Sequence, residues 1–209
     1  MGLGPAGAAQ AGTVTGRIRR LEKGGRAAAD SSHVVVWLEG PRARVRPVRA
    51  SMVMKGKQFR PHLLTVGVGS TVEFPNEDPI FHNACSVSGD NRFDLDLYKR
   101  PRTGAWTFQH AGVVRVYCNI HPQMSAVVVV RDNPYFARAA ADGAFTLEGV
   151  PAGRHVLKAW HERGGEAATD VTVPAEGAAT AELTLDGSRF RRAQHKNKHG
   201  KDYSASDPY

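Results

Sequence analysis

At 209 residues the chain is long enough for one large domain or two small ones, each with a hydrophobic core that needs no disulfide. Hydrophobic residues make up 41% of it, yet no apolar run approaches the roughly 20 residues that cross a bilayer as a helix. The formal charge of +8 is concentrated in Pro41 to Arg60, with seven basic and no acidic residues, and in Ser188 to Lys201, with six more; no recognised nucleic-acid motif accompanies it, so nucleic acid is set aside as a partner.

The start of the chain holds Ala9-Gln10-Ala11, which has the small-x-small form of a signal-peptidase site. Residues 1–12 are read as the remnant of an export leader, against the alternative of a chance alanine-rich start. From Thr13 to Gly40 the pattern is strand, Gly-rich turn, strand: TVTGRIR, LEKGGRAAADSS, HVVVWLEG. A proline and arginine connector, PRARVRPVR, follows.

The middle section opens with ASMVMKGKQFRPHLLTVGVGSTVEF, in which the GVGS turn separates two strands. It runs on through AWTFQHAG and VVRVYC and closes with SAVVVVRD. After Asn133-Pro134 the texture changes to DGAFTLEGVPAGRHVLKAWH, then TDVTVP and TAELTL, which predict four more strands. The segment 188–209 is a polar, basic tail of low hydrophobicity. With 22 glycines, 12 prolines, short Val- and Thr-rich runs and no long stretch at helical spacing, the expected class is all-β.

The chemistry is concentrated in Cys118-Asn119-Ile120-His121-Pro122-Gln123-Met124. A thiolate, an imidazole and a thioether lie within seven residues on a loop that follows a strand. Alternation in VVRVYC puts Val114, Val116 and Cys118 on one face, so if the valines face the core the sulfur does too. This donor set suits copper held as both Cu(I) and Cu(II). A His2Cys site with a weak axial methionine needs a second imidazole from a distant strand, and His82, in Phe81-His82-Asn83 after the turn FPNEDP, is the candidate. Zinc sites use tetrahedral Cys and His sets without methionine. The competing structural reading is a core cysteine, a surface histidine and a core methionine that are neighbours by chance.

These motifs carry three resemblances. Ala50 to Asp132 resembles a cupredoxin: the C-x-x-H-x-x-M loop with proline after the histidine has amicyanin-like spacing, and His82-Asn83 and the V-x-F-x-N strand before it fit the same pattern. Residues 13–40 with 137–187 resemble the small transthyretin-like sandwich of carboxypeptidase regulatory domains, on GTVTGRI and DGAFTLEGVPAGRHVLKAW, with His155 where an aromatic residue is usual. Over Thr13 to Tyr203 the whole chain is similar to the cupredoxin-containing methylamine-utilisation proteins, on FDLDLY, CNIHPQM and AWH.

The resemblance implies a cupredoxin Greek-key β-sandwich over 49–132, inserted in a discontinuous transthyretin-like sandwich. It implies one mononuclear blue (type 1) copper ion on His82, Cys118, His121 and Met124, with the Asn83 amide fixing the neighbouring backbone and donating toward the sulfur, and an exposed His121 as the exit for the electron. It further implies one-electron transfer in the periplasm to a partner such as a cytochrome or dehydrogenase, docked by the basic surface, with peripheral membrane contact as the other use of that charge. Two positions depart from the pattern: Cys85 replaces an apolar residue and Ala111 a proline. Cys85 is either a buried thiol or the partner of Cys118 in a disulfide that abolishes the site.

Enzyme activity has no support, since H-E-x-x-H, G-x-S-x-G, a phosphate-binding Gly-Lys loop and a second His-x-His copper motif are all missing. The alternatives are a copper carrier without redox relay and a non-catalytic sandwich that binds a partner or carbohydrate. His161 is expected to be structural or on the surface, His195 and His199 to be adventitious metal binders, and His33, His62 and His110 have no sequence partner.

Overall fold

The structure, a computed structural model, describes residues 11–41 and 43–191. The beginning of the supposed leader and most of the basic tail, with His195 and His199, lie outside the described residues. Among the described residues the only helical element is a 3-10 turn at Gly89–Asn91. The strands in chain order are β1 Ala11–Leu21, β2 Val35–Glu39, β3 Arg49–Ser51, β4 Val53–Met54, β5 Phe59–Arg60, β6 Leu63–Gly67, β7 Thr71–Pro75, β8 Cys85–Ser86, β9 Phe93–Asp94, β10 Thr103–Thr107, β11 Gly112–Tyr117, β12 Ser125–Arg131, β13 Phe136–Arg138, β14 Ala144–Pro151, β15 Gly153–His161, β16 Gly165–Val173 and β17 Ala178–Asp186. β1 starts at Ala11, so the last residues assigned to the leader are part of a strand.

The protein is all-β and divides into two compact units. One takes residues 11–41 and 135–191, and Ala43–Pro134 forms the other, so the second interrupts the sequence of the first.

The first unit is a sandwich of a three-stranded sheet, β14-β1-β17, and a four-stranded sheet, β13-β2-β15-β16. Strand alternation puts Val14 and Ile18 of β1 inside with Val36, Leu38, Phe145, Leu147 and Leu157. Gly16 is required in TVTGRI, because a Cβ there would run into the Ala181 carbonyl oxygen and the Phe145 ring. β1 pairs with β17 in parallel from Thr13↔Ala178 to Leu21↔Asp186.

The second unit packs the sheet β10-β7-β3 against the sheet β6-β12-β11-β8-β9. Its core includes Met52, Phe74, Phe93, Phe108, Val114, Val116, Ala126, Val128 and Val130. β11 and β12 form a hairpin whose last ladder pair is Tyr117↔Ser125. The seven residues from Cys118 to Met124 are therefore its connecting loop, at one end of the sandwich. β8 attaches to the same end through Cys85↔Tyr117, and so delivers the segment just before it, with His82, to the side of that loop. β4 and β5 form a small hairpin of their own.

Candidate metal centre

Cys118 follows directly on β11, and the alternation that buries Val114 and Val116 carries its sulfur into the same core. The loop then closes on itself: the Cys118 N–H donates to the Met124 carbonyl at 3.0 Å, and the Met124 N–H to the His121 carbonyl at 2.9 Å. Met124 is wholly buried beside the core. His82 is held by a reciprocal backbone pair with Tyr98, at 3.0 and 2.8 Å, and Tyr98 is anchored by its hydroxyl, which donates to the Phe74 carbonyl at 2.6 Å. Burial pushes the Tyr98 phenol up to about 12, so it keeps that proton.

Three donor atoms converge. The Nδ1 atoms of His82 and His121 are 3.1 Å apart, Cys118 Sγ is 3.4 Å from His121 Nδ1, and Sγ is 3.9 Å from His82 Nδ1. Among the described residues these side chains are the one group of three with donors close enough to share an ion. A point equidistant from the three atoms lies about 2.0 Å from each, which matches metal–imidazole bonds and falls slightly short of the ~2.3 Å of a metal–thiolate bond. The residues therefore fit a single cation.

Their protonation fits as well. His82 Nε2 is 2.7 Å from Asp78 Oδ2, and because an ionised carboxylate only accepts, Nε2 donates and Nδ1 is the nitrogen left facing the cluster. Burial works against the Asp78 charge, but the Lys57 and Gly56 N–H groups and His82 outweigh it and hold the carboxyl at about 2. Burial, with His82 and Lys57 nearby, lowers His121 to about 4, so its imidazole is neutral and able to ligate at ordinary pH. Burial pushes the Cys118 thiol up, against the opposing N–H groups of Asn83, Ile120 and His121. Metal binding must therefore displace a proton from it.

Two expectations are corrected. His121 is only 7% exposed, not open to solvent, because its ring packs at 62° against that of His82 with centroids 4.7 Å apart inside the loop. The Asn83 side-chain amide does not donate toward the sulfur. It donates to Asp94 Oδ1 at 2.8 Å, while its carbonyl oxygen accepts the Asn119 N–H at 2.6 Å, so the side chain ties the His82 segment to the Cys118 loop and the Asn83 backbone N–H serves the sulfur.

Cys85 and Cys118 are both buried and neither is in a disulfide. The Cys85 thiol donates to the Tyr117 carbonyl at 3.4 Å. His161 is buried and accepts from the Arg163 and Gly164 N–H groups at 3.1 and 3.2 Å, a structural role in the first unit. His62 Nδ1 contacts the Ser125 carbonyl at 3.1 Å.

Sequence reasoning missed Asp78, having taken FPNEDP as the end of a strand and its turn, and had Asn76 only as the last position of the V-x-F-x-N pattern. Asn76 accepts the Asp78 N–H at 2.9 Å and donates to the Ile80 and Tyr98 carbonyls, which shapes the loop that carries His82. The carboxylate four residues before the candidate histidine was the available signal.

No protein-family model matches the chain, and comparison with the curated proteins returned no match. Among solved structures the chain is similar to a purple cupredoxin from Nitrosopumilus maritimus, at 25% identity over 39% of this chain and 98% of that one, with a TM-score of 0.36. An oxidised amicyanin variant is similar at 26% identity over 39% of this chain and 81% of its own, with a TM-score of 0.37. A copper-containing nitrite reductase from Thermus scotoductus SA-01 is similar at 27% identity over 45% of this chain, with a TM-score of 0.38, and the match spans 25% of the reductase.

Proposed function

We propose that this protein binds one mononuclear type 1 copper ion through His82, Cys118, His121 and Met124 and transfers single electrons in the periplasm, without catalysing a reaction of its own. The observation that carries this reading is the convergence of two imidazole nitrogens and a cysteine sulfur within 4.8 Å of one another in a buried cluster. Copper, when bound, supplies the Cu(II)/Cu(I) couple, for which a His2Cys plane with a distant methionine is a suitable donor set. His82 and Cys118 are fully buried and His121 nearly so, which favours electron passage through the ligands over coordination of a substrate. The same burial favours retention of the ion over a carrier's easy exchange.

Ile80 and Phe81, just before His82, and Leu97, just before Tyr98 on the other side of the His82↔Tyr98 bridge, are exposed large apolar side chains. Lys99 Nζ lies 5.3 Å from the Phe81 ring centroid, and Arg100 and Arg102 are exposed nearby. Exposed apolar and basic side chains on the segments that flank His82 and Tyr98 suit a redox protein with an acidic face. The first unit is proposed as a non-catalytic sandwich of the transthyretin-like kind.

Absorption and electron paramagnetic resonance spectra of the copper-loaded protein, beside a Cys118→Ser variant, test the reading. An intense blue thiolate-to-copper band with narrow hyperfine splitting, lost in the variant, is expected. A colourless protein, or a spectrum indifferent to Cys118, sinks it.

A further inference from the structure

The Asp78 carboxylate is held more firmly than a turn residue requires. Oδ1 accepts the Gly56 N–H at 2.8 Å, and Oδ2 accepts the Lys57 N–H at 2.9 Å and the His82 Nε2–H at 2.7 Å. The two backbone donors belong to the tip of the β4–β5 hairpin, where Lys55 and Gln58 exchange backbone bonds across a two-residue loop. Gly56 and Lys57 both have positive φ, +63° and +56°, the requirement of a type I′ turn that matches strand twist. That conformation aims two consecutive N–H groups at one anion. The side chain is only 13% exposed, so solvent screens it little.

From this chain of contacts we infer that Asp78 is a positioning residue that sets the reduction potential of the metal centre, held behind His82 by the hairpin tip. The inference rests on the copper reading above. The carboxylate does two things: it fixes the His82 tautomer and ring direction, and it places a negative charge one imidazole away from the ion. A carboxylate hydrogen-bonded to the far side of a ligating imidazole raises ligand basicity and stabilises the more highly charged metal state. It therefore favours Cu(II) over Cu(I) and lowers the potential. Glu77, the adjacent carboxylate, is paired with Lys55 at 2.9 Å and half-exposed, and does not touch a ligand. It is the internal control.

The test is potentiometry of the copper-loaded full chain as wild type, Asp78→Asn and Glu77→Gln. Asp78→Asn should lose Cu(II) affinity about tenfold more than Cu(I) affinity, a rise in potential of about 59 mV for a one-electron couple. Glu77→Gln should leave the potential in place. An unchanged potential in a blue Asp78→Asn protein overturns the inference, and so does an equal rise in Glu77→Gln, which would reduce the effect to general charge. Nitrogen-15 NMR of the His82 ring in the metal-free wild type at neutral pH provides a measurement that does not depend on the variant folding: a proton on Nε2 is expected, and a proton on Nδ1 overturns the positioning role. A wild type that binds no copper overturns the proposed function together with the potential. A blue protein whose potential ignores Asp78 overturns only the inference.

Discussion

The ring nitrogens His82 Nδ1 and His121 Nδ1 face each other across 3.1 Å, while the other ring nitrogen of His82 is taken up by Asp78. Two buried imidazoles and a buried thiol held this close gain most when a cation lies among their lone pairs. The second unit thus holds, at one end, a buried donor cluster of the size and chemistry to accept one cation.

Metal binding should therefore stabilise the second unit selectively. With free metal at 100 times Kd, linkage adds about 2.7 kcal/mol, and roughly 4–8 °C per kcal/mol applies to a domain of this size. Calorimetry of the full chain should show one transition rising by about 10 °C or more on copper loading while that of the first unit stays in place. Two transitions that both ignore copper would count against the site.

Met124 is wholly buried, and leucine conserves most of its volume, so Met124→Leu should cost less than about 1.5 kcal/mol. The variant should keep copper and the blue band, with a higher potential. A potential equal to wild type would remove Met124 from the ligand set.

Asn83→Ala deletes the acceptor of the Asn119 N–H and the donor to Asp94. Leaving a part-buried N–H without its partner costs about 1–3 kcal/mol. Urea unfolding of the metal-free protein should show a lower midpoint with an unchanged m-value, and an unaltered midpoint would assign the link between the two segments to other contacts.

His161 gives a pH dependence that does not involve the metal centre. Burial, then the charge of Arg20, holds it at about 4, with His33 and Arg163 adding to the shift and Glu162 opposing it. Its folded value lies below the ordinary histidine value near 6.5, so the unfolded chain binds the proton first as pH falls. The stability of the first unit should be full above about pH 6.5 and decline toward pH 4. His161→Gln should flatten that slope in denaturant titrations across the window; an identical slope would place its origin elsewhere.

Much of this architecture was legible because it rests on local pattern. Val114, Val116 and Cys118 alternate, and the core accepts all three. The longer strands, such as β1, β12 and β15, announced themselves as bounded apolar or alternating runs. The two-residue strands β4, β5, β8 and β9 did not, since pairs such as Cys85↔Asp94 exist only once the sheet has assembled. Asp78 was hidden for the same reason: its partners Gly56 and Lys57 lie about twenty residues earlier, on a hairpin tip whose position no spacing rule provides. His121 was expected to be exposed because its loop lies at the end of the sandwich beside solvent, but the ring of His82 and the closure of the loop by Cys118 and Met124 cover it.

The nine-residue parallel ladder between β1 and β17 has a consequence for biogenesis. Whether from a ribosome or from an export channel, Thr13 emerges long before Ala178, with the whole of Ala43–Pro134 in between. The second unit, with His82, Cys118 and His121, can reach its final form while the first still has a lone first strand with neither β14 nor β17 beside it. Closing the sandwich of the first unit is the late, long-range step of folding. During that interval β1 offers two unpaired edges to any other chain, which is the point in the life of this protein where a chaperone has most to protect.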